Sequence, residues 1–432
     1  MDEIVISAGD TAWVMASCAL VLLMTPGLAF FYGGMVRAKS ALNMMMMSMV
    51  AVGIVSVLWV IYGFKLTFGY EANSEWYGSF SLSGLGDVVN ELTNNGGVYP
   101  IPLLVFAAFQ LMFAIITPAL ISGAIADRTK FVAWGVFVAI WVTVVYFPVA
   151  HWVFAFGNKV GDTVTGAGFL AARGVQDFAG GTAVHINAGA AALALAIVLG
   201  RRIGWQKTPM RPHSLPLVLL GAALLWFGWF GFNAGSALGA NATAGLAFIN
   251  TQVAAAGALL GWIVTEKIRD GHPTTLGAAS GAVSGLVAIT PACAFVAPWA
   301  AVVIGFLAGA ACALAVGLKY KLGYDDALDV VGVHLVGGII GSLAIGFFGS
   351  SAVNSVGLDG LFYGGGTALL VKQALGVGLV MAYSFIATLI IGYVIEKTIG
   401  FRVSNEKELI GVDQTEHAES AYELGGILKG GR

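Results

Sequence analysis

Two histidines lie inside long apolar stretches of the sequence, each eight residues after an aspartate. The first stretch runs from Asp177 to Gly189 and contains His185, and the second runs from Asp326 to Gly338 and contains His334. Because a helix rises about 1.5 Å per residue, each histidine is expected roughly 12 Å along from its aspartate. If each aspartate marks a membrane surface, each histidine approaches the middle of a hydrocarbon core about 30 Å thick. Ionisable groups at that depth are costly and typical of functional sites, so the pair is the leading candidate.

The residues alone leave other interpretations of these groups open. The histidines could be structural, bonded to backbone carbonyls, or they could bind a metal, although no third residue has ligand spacing. Asp177 could cap a helix, or it could be a buried anion that favours cations at the mouth of a pathway. Asp329 is expected to serve capping or folding, because Asp325 and Asp326 beside it suggest an ordinary polar helix start.

The composition excludes a water-soluble domain. The chain is 58% hydrophobic and 10% charged, with a mean hydropathy of +0.86, whereas a soluble domain carries about 25% charged residues. The 60 glycines suit close helix packing in lipid. Three GxxxG pairs, Gly231–Gly235, Gly305–Gly309 and Gly337–Gly341, are weak signals in so glycine-rich a chain. Cys18, Cys293 and Cys312 are interpreted as packing residues, since their spacing indicates neither zinc nor disulfides.

The apolar segments predict an all-α polytopic membrane protein with eleven transmembrane helices. The start, Met-Asp-Glu, has no basic region, and we expect no cleaved signal peptide. The predicted spans are 10–34, 41–69, 100–125, 131–154, 179–200, 215–236, 244–265, 275–291, 298–318, 330–349 and 367–396.

The basic residues predict the orientation. Most of the 21 Lys and Arg lie in alternate loops and in the tail, which places the N-terminus outside and the C-terminus in the cytoplasm. Five helices per half then predict an inverted repeat of helices 1–5 and 6–10, with helix 11 outside it and a shared site near the midplane. Residues 1–397 are thus predicted to form the membrane domain and residues 398–432 a regulatory tail.

Aromatic residues crowd the third and sixth predicted helices. Phe106, Phe109 and Phe113 share one face of the third helix, and Ser236 follows Trp226, Trp229, Phe230 and Phe232 on the sixth. Such stripes usually mean packing or an interfacial belt. A hydroxyl among aromatic faces favours instead a cage for a small cation, worth roughly 0.5–2 kcal/mol per contact.

Several long segments resemble the ammonium transporter family (Amt, MEP and Rh), on its bacterial or archaeal Amt side. The similar segments are Pro26 to Gly34, Phe109 to Ala114, Asp177 to Gly189, Gly228 to Ser236 and Asp329 to His334. They are spread over essentially all of residues 5–425.

The resemblance implies a function and a set of roles. It implies an eleven-helix bundle assembled as a homotrimer, with a pore in each subunit that takes up ammonium or methylammonium for nitrogen supply. His185 and His334 match twin pore histidines that share a proton, and Phe109 with Phe232 matches a stacked phenyl gate. Phe113 and Ser236 match the outer ammonium site, and Asp177 matches a buried carboxylate that supports it. Phe154 and Trp229 are counted with the ammonium-binding residues.

One position departs from the family pattern. The family usually has a tryptophan three residues after the histidine of a Pro-x-Ala-His motif, but here Phe154 follows Pro148 to His151. Phenylalanine offers a weaker face to cations than tryptophan. This puts the affinity of the outer site in doubt, and not its existence.

The same residues leave other classes of protein open. The alternatives are a sensor of the same fold, which the short tail disfavours, a neutral gas channel for NH3 or CO2, and an intramembrane enzyme, for which no catalytic constellation is present. We expect no enzyme activity, cofactor or nucleic-acid partner, and a plasma-membrane location among lipids. The resemblance also implies a PII-type nitrogen regulator on the cytoplasmic face, with complementary charge from Arg201, Arg202 and Lys207.

Overall fold

The computed structural model describes residues 6–93, 100–160 and 163–422, and the chain within them is mainly helical. Long segments without charge form helices because a membrane offers backbone groups no water to bond. The membrane-domain helices, labelled α1 to α11 in chain order, are Ala8–Met35, Ala38–Phe68, Leu103–Ile125, Phe131–Phe154, Gly181–Leu199, Leu215–Gly235, Ala242–Asp270, Thr275–Ile289, Pro298–Leu322, Val331–Phe348 and Ala368–Thr398.

These helices confirm a mainly helical, multi-pass membrane protein. Within the described ranges, ten of them are long and apolar enough to cross a membrane. The remaining one, α8, has 15 residues and is about 22 Å long, which is shorter than a hydrocarbon core. The count of eleven spans and the inverted repeat therefore stay predictions.

A small β-hairpin departs from the all-helical expectation. Strand β1, Phe156–Val160, pairs antiparallel with β2, Thr163–Ala167, between α4 and α5. Valine and threonine in this stretch fit an extended, pleated backbone better than a helix. Strands of five residues are too short to appear as apolar segments of membrane length, so the sequence pattern did not predict the hairpin.

Glycines allow neighbouring helices to touch through their backbones. A Cβ atom added to Gly305 would lie 2.1 Å from the Ala254 carbonyl oxygen, and one added to Gly309 would lie 2.1 Å from that of Ala258. Both contacts join α9 to α7. The GxxxG spacing, a weak signal in the sequence, marks a close helix crossing here.

Buried ion pairs tie together the loops on the side of the bundle where residues 398–422 lie, called the tail side below. Arg202 donates two side-chain hydrogen bonds to Asp325, at 2.9 and 2.8 Å, and one to Asp127 at 2.9 Å. Arg37 also donates to Asp127, at 3.2 Å. Burial by itself would raise the pKa of Asp325, but the Arg202 hydrogen bonds and the Arg128 charge lower it below its usual value.

The burial of Arg202 corrects one expectation from the sequence. Its side chain is 6% exposed, because both neighbouring aspartates need a counter-charge inside the protein. It therefore cannot lie on a surface that receives a partner. Arg201 and Lys207 are exposed, as that role requires.

The tail packs against the ends of the membrane helices through its acidic side chains. After α12, Asn405–Ile410, Asp413 accepts hydrogen bonds from the backbone N–H groups of Leu42 and Asn43 at 3.0 and 2.8 Å. Glu416 accepts one from Phe131 N–H at 3.2 Å. These groups lie in the first turns of α2 and α4, so the tail caps two membrane helices.

Candidate functional site

Asp177 caps the start of α5. Its carboxylate accepts hydrogen bonds from the N–H groups of Gly180, Gly181 and Thr182, each at 2.7 Å, and from Ala183 N–H at 3.3 Å. The capping interpretation is therefore correct, while its role as an anion for cations stays a prediction. Because the helix begins at Gly181, the assumption of a continuous helix from Asp177 to His185, on which the expected 12 Å depends, is wrong.

Asp326 caps the start of α10 in the same way. Its two oxygens accept from Val330 N–H at 3.1 Å and Val331 N–H at 2.7 Å. Of the two roles expected of Asp329, capping and folding, capping is thus excluded, since Asp326 meets those N–H groups and Asp329 instead pairs with Lys319. Each cap leads into a π-helical turn that contains the histidine, Gly181–Ile186 or Val331–Leu335. Such turns are frequent at functional sites.

The two π-helical turns bring the histidines together in the interior. His185 Nδ1 lies 3.2 Å from His334 Nδ1, the rings are 5.3 Å apart and nearly parallel, and the residues are 1% and 3% exposed. A hydrogen bond between two Nδ1 atoms holds one proton, donated by one ring and accepted by the other. The opposite nitrogen of His185, Nε2, has no partner in the described ranges. The pair can therefore hold a shared proton and still offer a nitrogen to a small molecule.

The space beside the histidines is narrow and apolar. The side chains that line it, besides the histidines, are Met24, Leu28, Phe31, Ile116, Leu120, Leu225, Trp229, Phe232 and Val283. A bare cation in such surroundings costs tens of kcal/mol by idealised estimates. This space thus favours neutral molecules, or ions that first give up their charge by losing a proton.

Trp229 lies at the level of the histidines rather than in the outer cage. Its ring stacks on His185 with centroids 5.4 Å apart, and its indole N–H donates to Thr290 Oγ1 at 2.8 Å. One helical turn separates Trp229 from Asn233, near the Asp177 end of α6. Trp229, counted with the ammonium-binding residues in the sequence, therefore lines the space at the histidines and not the outer vestibule, and its part in binding ammonium stays a prediction.

The rings of Phe113 and Phe232 contact each other on the Asp177 side of the histidines. Their ring centroids are 4.4 Å apart, and Phe232 lies 6.0 Å from the His185 ring. Phe109 packs edge-on behind Phe113, at 4.9 Å. The expected pairing of Phe109 with Phe232 is wrong, since Phe109 and Phe113 stand one turn apart and Phe113 is at the depth of Phe232.

A wider vestibule opens on the Asp177 side of this aromatic pair. Phe113, Phe154, Asp177 and Ser236 all line it, so four of the predicted ammonium-binding residues meet there. Ser236 donates its hydroxyl hydrogen to the Phe232 carbonyl at 2.8 Å, which leaves the oxygen lone pairs to accept from a ligand. The C-terminus of α6 lies beside it, where the helix dipole favours a cation.

Sequence reasoning missed two residues at the mouths of the pathway. Gln110 lines the vestibule. The sequence feature that could have identified it is a polar amide side chain between the phenylalanines of α3. Lys319 pairs with Asp329 at the tail-side mouth, and no spacing pattern linked them. In the described ranges, no group of three or more His, Cys, Asp or Glu is placed to hold a metal ion.

The fold and this site define a membrane protein with a buried histidine pair beside an apolar cavity among its helices. Residues 12–422 match the ammonium transporter family. The chain is 56% identical over 434 residues to the ammonium transporter of Mycobacterium tuberculosis, with 96% of this chain and 90% of that protein covered. The chain belongs to the ammonium transporter family, which is a family of transporters rather than enzymes.

Solved structures agree with this assignment. The crystal structure of Saccharomyces cerevisiae Mep2 superposes with a TM-score of 0.84 at 34% identity, covering 93% of this chain and 91% of that chain. A structure described as a sensor Amt protein superposes with a TM-score of 0.84 at 29% identity, covering 95% and 98%. The helical membrane fold is therefore shared with both Mep2 and the sensor Amt protein.

Proposed function

We propose that this ammonium transporter recruits NH4+ in the Asp177-side vestibule, removes its proton and conducts ammonia past the two histidines. The vestibule offers aromatic faces, the free lone pairs of Ser236 and the end of the α6 dipole. Asp177 adds a buried negative charge close by. These groups favour a small cation over a neutral molecule at the entrance.

The observation that carries the proposal is the histidine pair beneath the Phe113–Phe232 contact. Because the lining is apolar, ammonium crosses only if it gives up its proton, so that the nitrogen passes as neutral ammonia. Two histidines that share one proton provide a group along which the proton can pass. Potassium has no proton to give up, so it is rejected at the same barrier.

The likeness to a sensor protein supports a second candidate, in which binding is signalled instead of transported. Both candidates use the same vestibule, since the fold extends over 95% of this chain. They differ in turnover: a transporter moves many substrate molecules per subunit, whereas a sensor needs only to bind. We favour transport because the histidine pathway continues beyond the vestibule toward the tail side.

The assembly and surroundings are part of the proposal. We infer a homotrimer in a plasma membrane, with the N-terminus outside and the tail in the cytoplasm. A PII-type regulator would bind the tail side, where Arg201 and Lys207 are exposed. The exposed apolar side chains on the outer faces of the helices fit contact with lipid or with other subunits.

Uptake of labelled methylammonium by vesicles that contain the purified protein tests the function. We expect uptake by the wild type, loss of at least tenfold in His185→Ala and in His334→Ala, and no change in the matched variant His272→Ala, whose side chain is exposed. The size of each variant after solubilisation in detergent, compared with that of the wild type, shows whether it has folded. Wild-type uptake in both pore variants would refute the proton path, and binding without uptake in the wild type would favour the sensor.

A further inference from the structure

The two capped helix starts match residue for residue, with one chemical difference. Asp177 and Asp326 each lie eight residues before the histidine, and the residues five before it, Gly180 and Asp329, both have positive φ, 114° and 64°. A left-handed backbone is ordinary for glycine but uncommon for aspartate. The tail-side mouth therefore carries a second carboxylate at a position where the Asp177-side mouth has only glycine.

Lys319 neutralises that second carboxylate. Its Nζ atom lies 2.5 Å from Asp329 Oδ1 and donates to the Asp326 carbonyl oxygen at 2.9 Å. The Lys319 side chain is 8% exposed and that of Asp329 is 27% exposed. Asp177, in contrast, has no Lys or Arg within ion-pair distance among the residues that the structure describes. The added negative charge and its counter-ion occur together at one mouth only.

Asp329 lies at the tail-side end of the pathway. It lines a small cavity together with His334, Tyr32 and Ser280, directly on the tail side of the histidine pair. Ammonia that takes up a proton again after passing the histidines meets this cavity next, as ammonium. An uncompensated carboxylate there would attract the cation that is being released.

We propose that Lys319 is a built-in counter-ion that keeps the Asp329 carboxylate from retaining ammonium at the tail-side mouth. This inference rests on the proposed transport function. The ε-ammonium group of lysine is chemically close to the substrate, and it is tethered beside the carboxylate by its own chain. A tethered ligand competes at a high effective concentration with a free one. Lys319 thus acts as a release residue, and it touches neither histidine.

Three variants test this role because they should move one quantity in opposite directions. Proteoliposomes are sorted by the accessibility of a tag placed after Arg432, and the half-saturating ammonium concentration is measured from each side by methylammonium exchange. From the tail side, Lys319→Met should lower it by roughly three- to fivefold, as expected of one partly solvated ion pair. Asp329→Asn should raise it, and the double variant should return it toward the wild-type value.

The other side of the membrane and the neighbouring lysine provide the controls. The half-saturating concentration from the Asp177 side should stay constant in all variants, and Lys321→Met, at an exposed position of the same segment, should behave as wild type from both sides. Unequal destabilisation would not produce changes of opposite sign. If Lys319→Met does not fold, the Asp329→Asn increase and the double variant decide the question.

The outcomes separate this inference from the proposed function. Normal wild-type transport with unchanged tail-side values in Lys319→Met and Asp329→Asn overturns the counter-ion role alone. Equal shifts from both sides also overturn it, because they indicate a general change in the pathway. A wild-type protein that moves no methylammonium overturns both.

Discussion

Phe154 is the residue through which the proposed affinity of the vestibule for a cation can be tested. Its ring lies 6.5 Å from that of Phe113, and both line the same space as Ser236. A phenyl face attracts a cation less than an indole face does. In the proposed cation site, Phe154 therefore offers a weaker contact than a tryptophan would.

Replacing Phe154 with tryptophan should tighten the apparent affinity for ammonium. We expect the half-saturating concentration to fall about two- to fivefold, equivalent to about 0.5–1 kcal/mol. Ser236→Ala should raise it, since the variant removes the hydroxyl acceptor. Concentration-dependent methylammonium uptake measures both effects, with Phe227→Trp, on an exposed face of α6, as the control. A constant half-saturating concentration in both variants would place the outer site elsewhere.

At the scale of elements, the helices are held at fixed separations by backbone contacts. The crossing of α7 and α9 depends on glycine, because Gly305 and Gly309 leave no room for a side chain against the carbonyl groups of Ala254 and Ala258. Backbone atoms cannot rotate away from an added side chain, so the helices would have to separate.

Gly309→Val should therefore destabilise the fold. We expect a loss of about 1–3 kcal/mol from overpacking, or more if the helices cannot shift. The matched control is Gly378→Val on α11, since a Cβ atom at Gly378 meets nothing within 4 Å. Thermal unfolding in detergent compares the two variants with the wild type. Equal midpoints for Gly309→Val and Gly378→Val would contradict the role of the crossing.

At the scale of the whole molecule, the tail joins segments that are far apart in the sequence. Glu408 accepts hydrogen bonds from Ile203 N–H at 2.6 Å and from Arg402 at 2.7 Å, while Asp413 and Glu416 cap α2 and α4. Lys39 donates in return to the Glu408 carbonyl oxygen at 3.0 Å. Tail position and helix position on this side are thus coupled by direct bonds.

Deleting residues 405–432 should remove the bonds between the tail and the membrane helices without separating the subunits. We expect an intact trimer, because these contacts lie within one subunit, together with lowered or deregulated transport and weaker binding of a PII-type regulator. Each lost helix cap costs about 0.5–2 kcal/mol. Size measurement, methylammonium uptake and regulator pull-down on the truncated protein check the three parts. Full uptake with unchanged regulator binding would leave the tail without the proposed role.

The sequence by itself determined the class of the protein and the position of its helices. Apolar segments of membrane length can satisfy their backbone hydrogen bonds only as helices, so composition fixes where the helices lie. The equal spacing of His185 and His334 from their aspartates also identified the pair, because that pattern is carried by consecutive residues. Local chemistry was sufficient for these features.

Only the tertiary structure decided which side chains face each other. Phe113 rather than Phe109 meets Phe232, Trp229 stacks on His185, Arg202 is buried between two aspartates, and Lys319 pairs with Asp329. A helix that is apolar all round gives no periodic signal for its rotation about its own axis. The depth and direction of each side chain are set by packing between segments distant in the chain, which the order of residues along one segment does not encode.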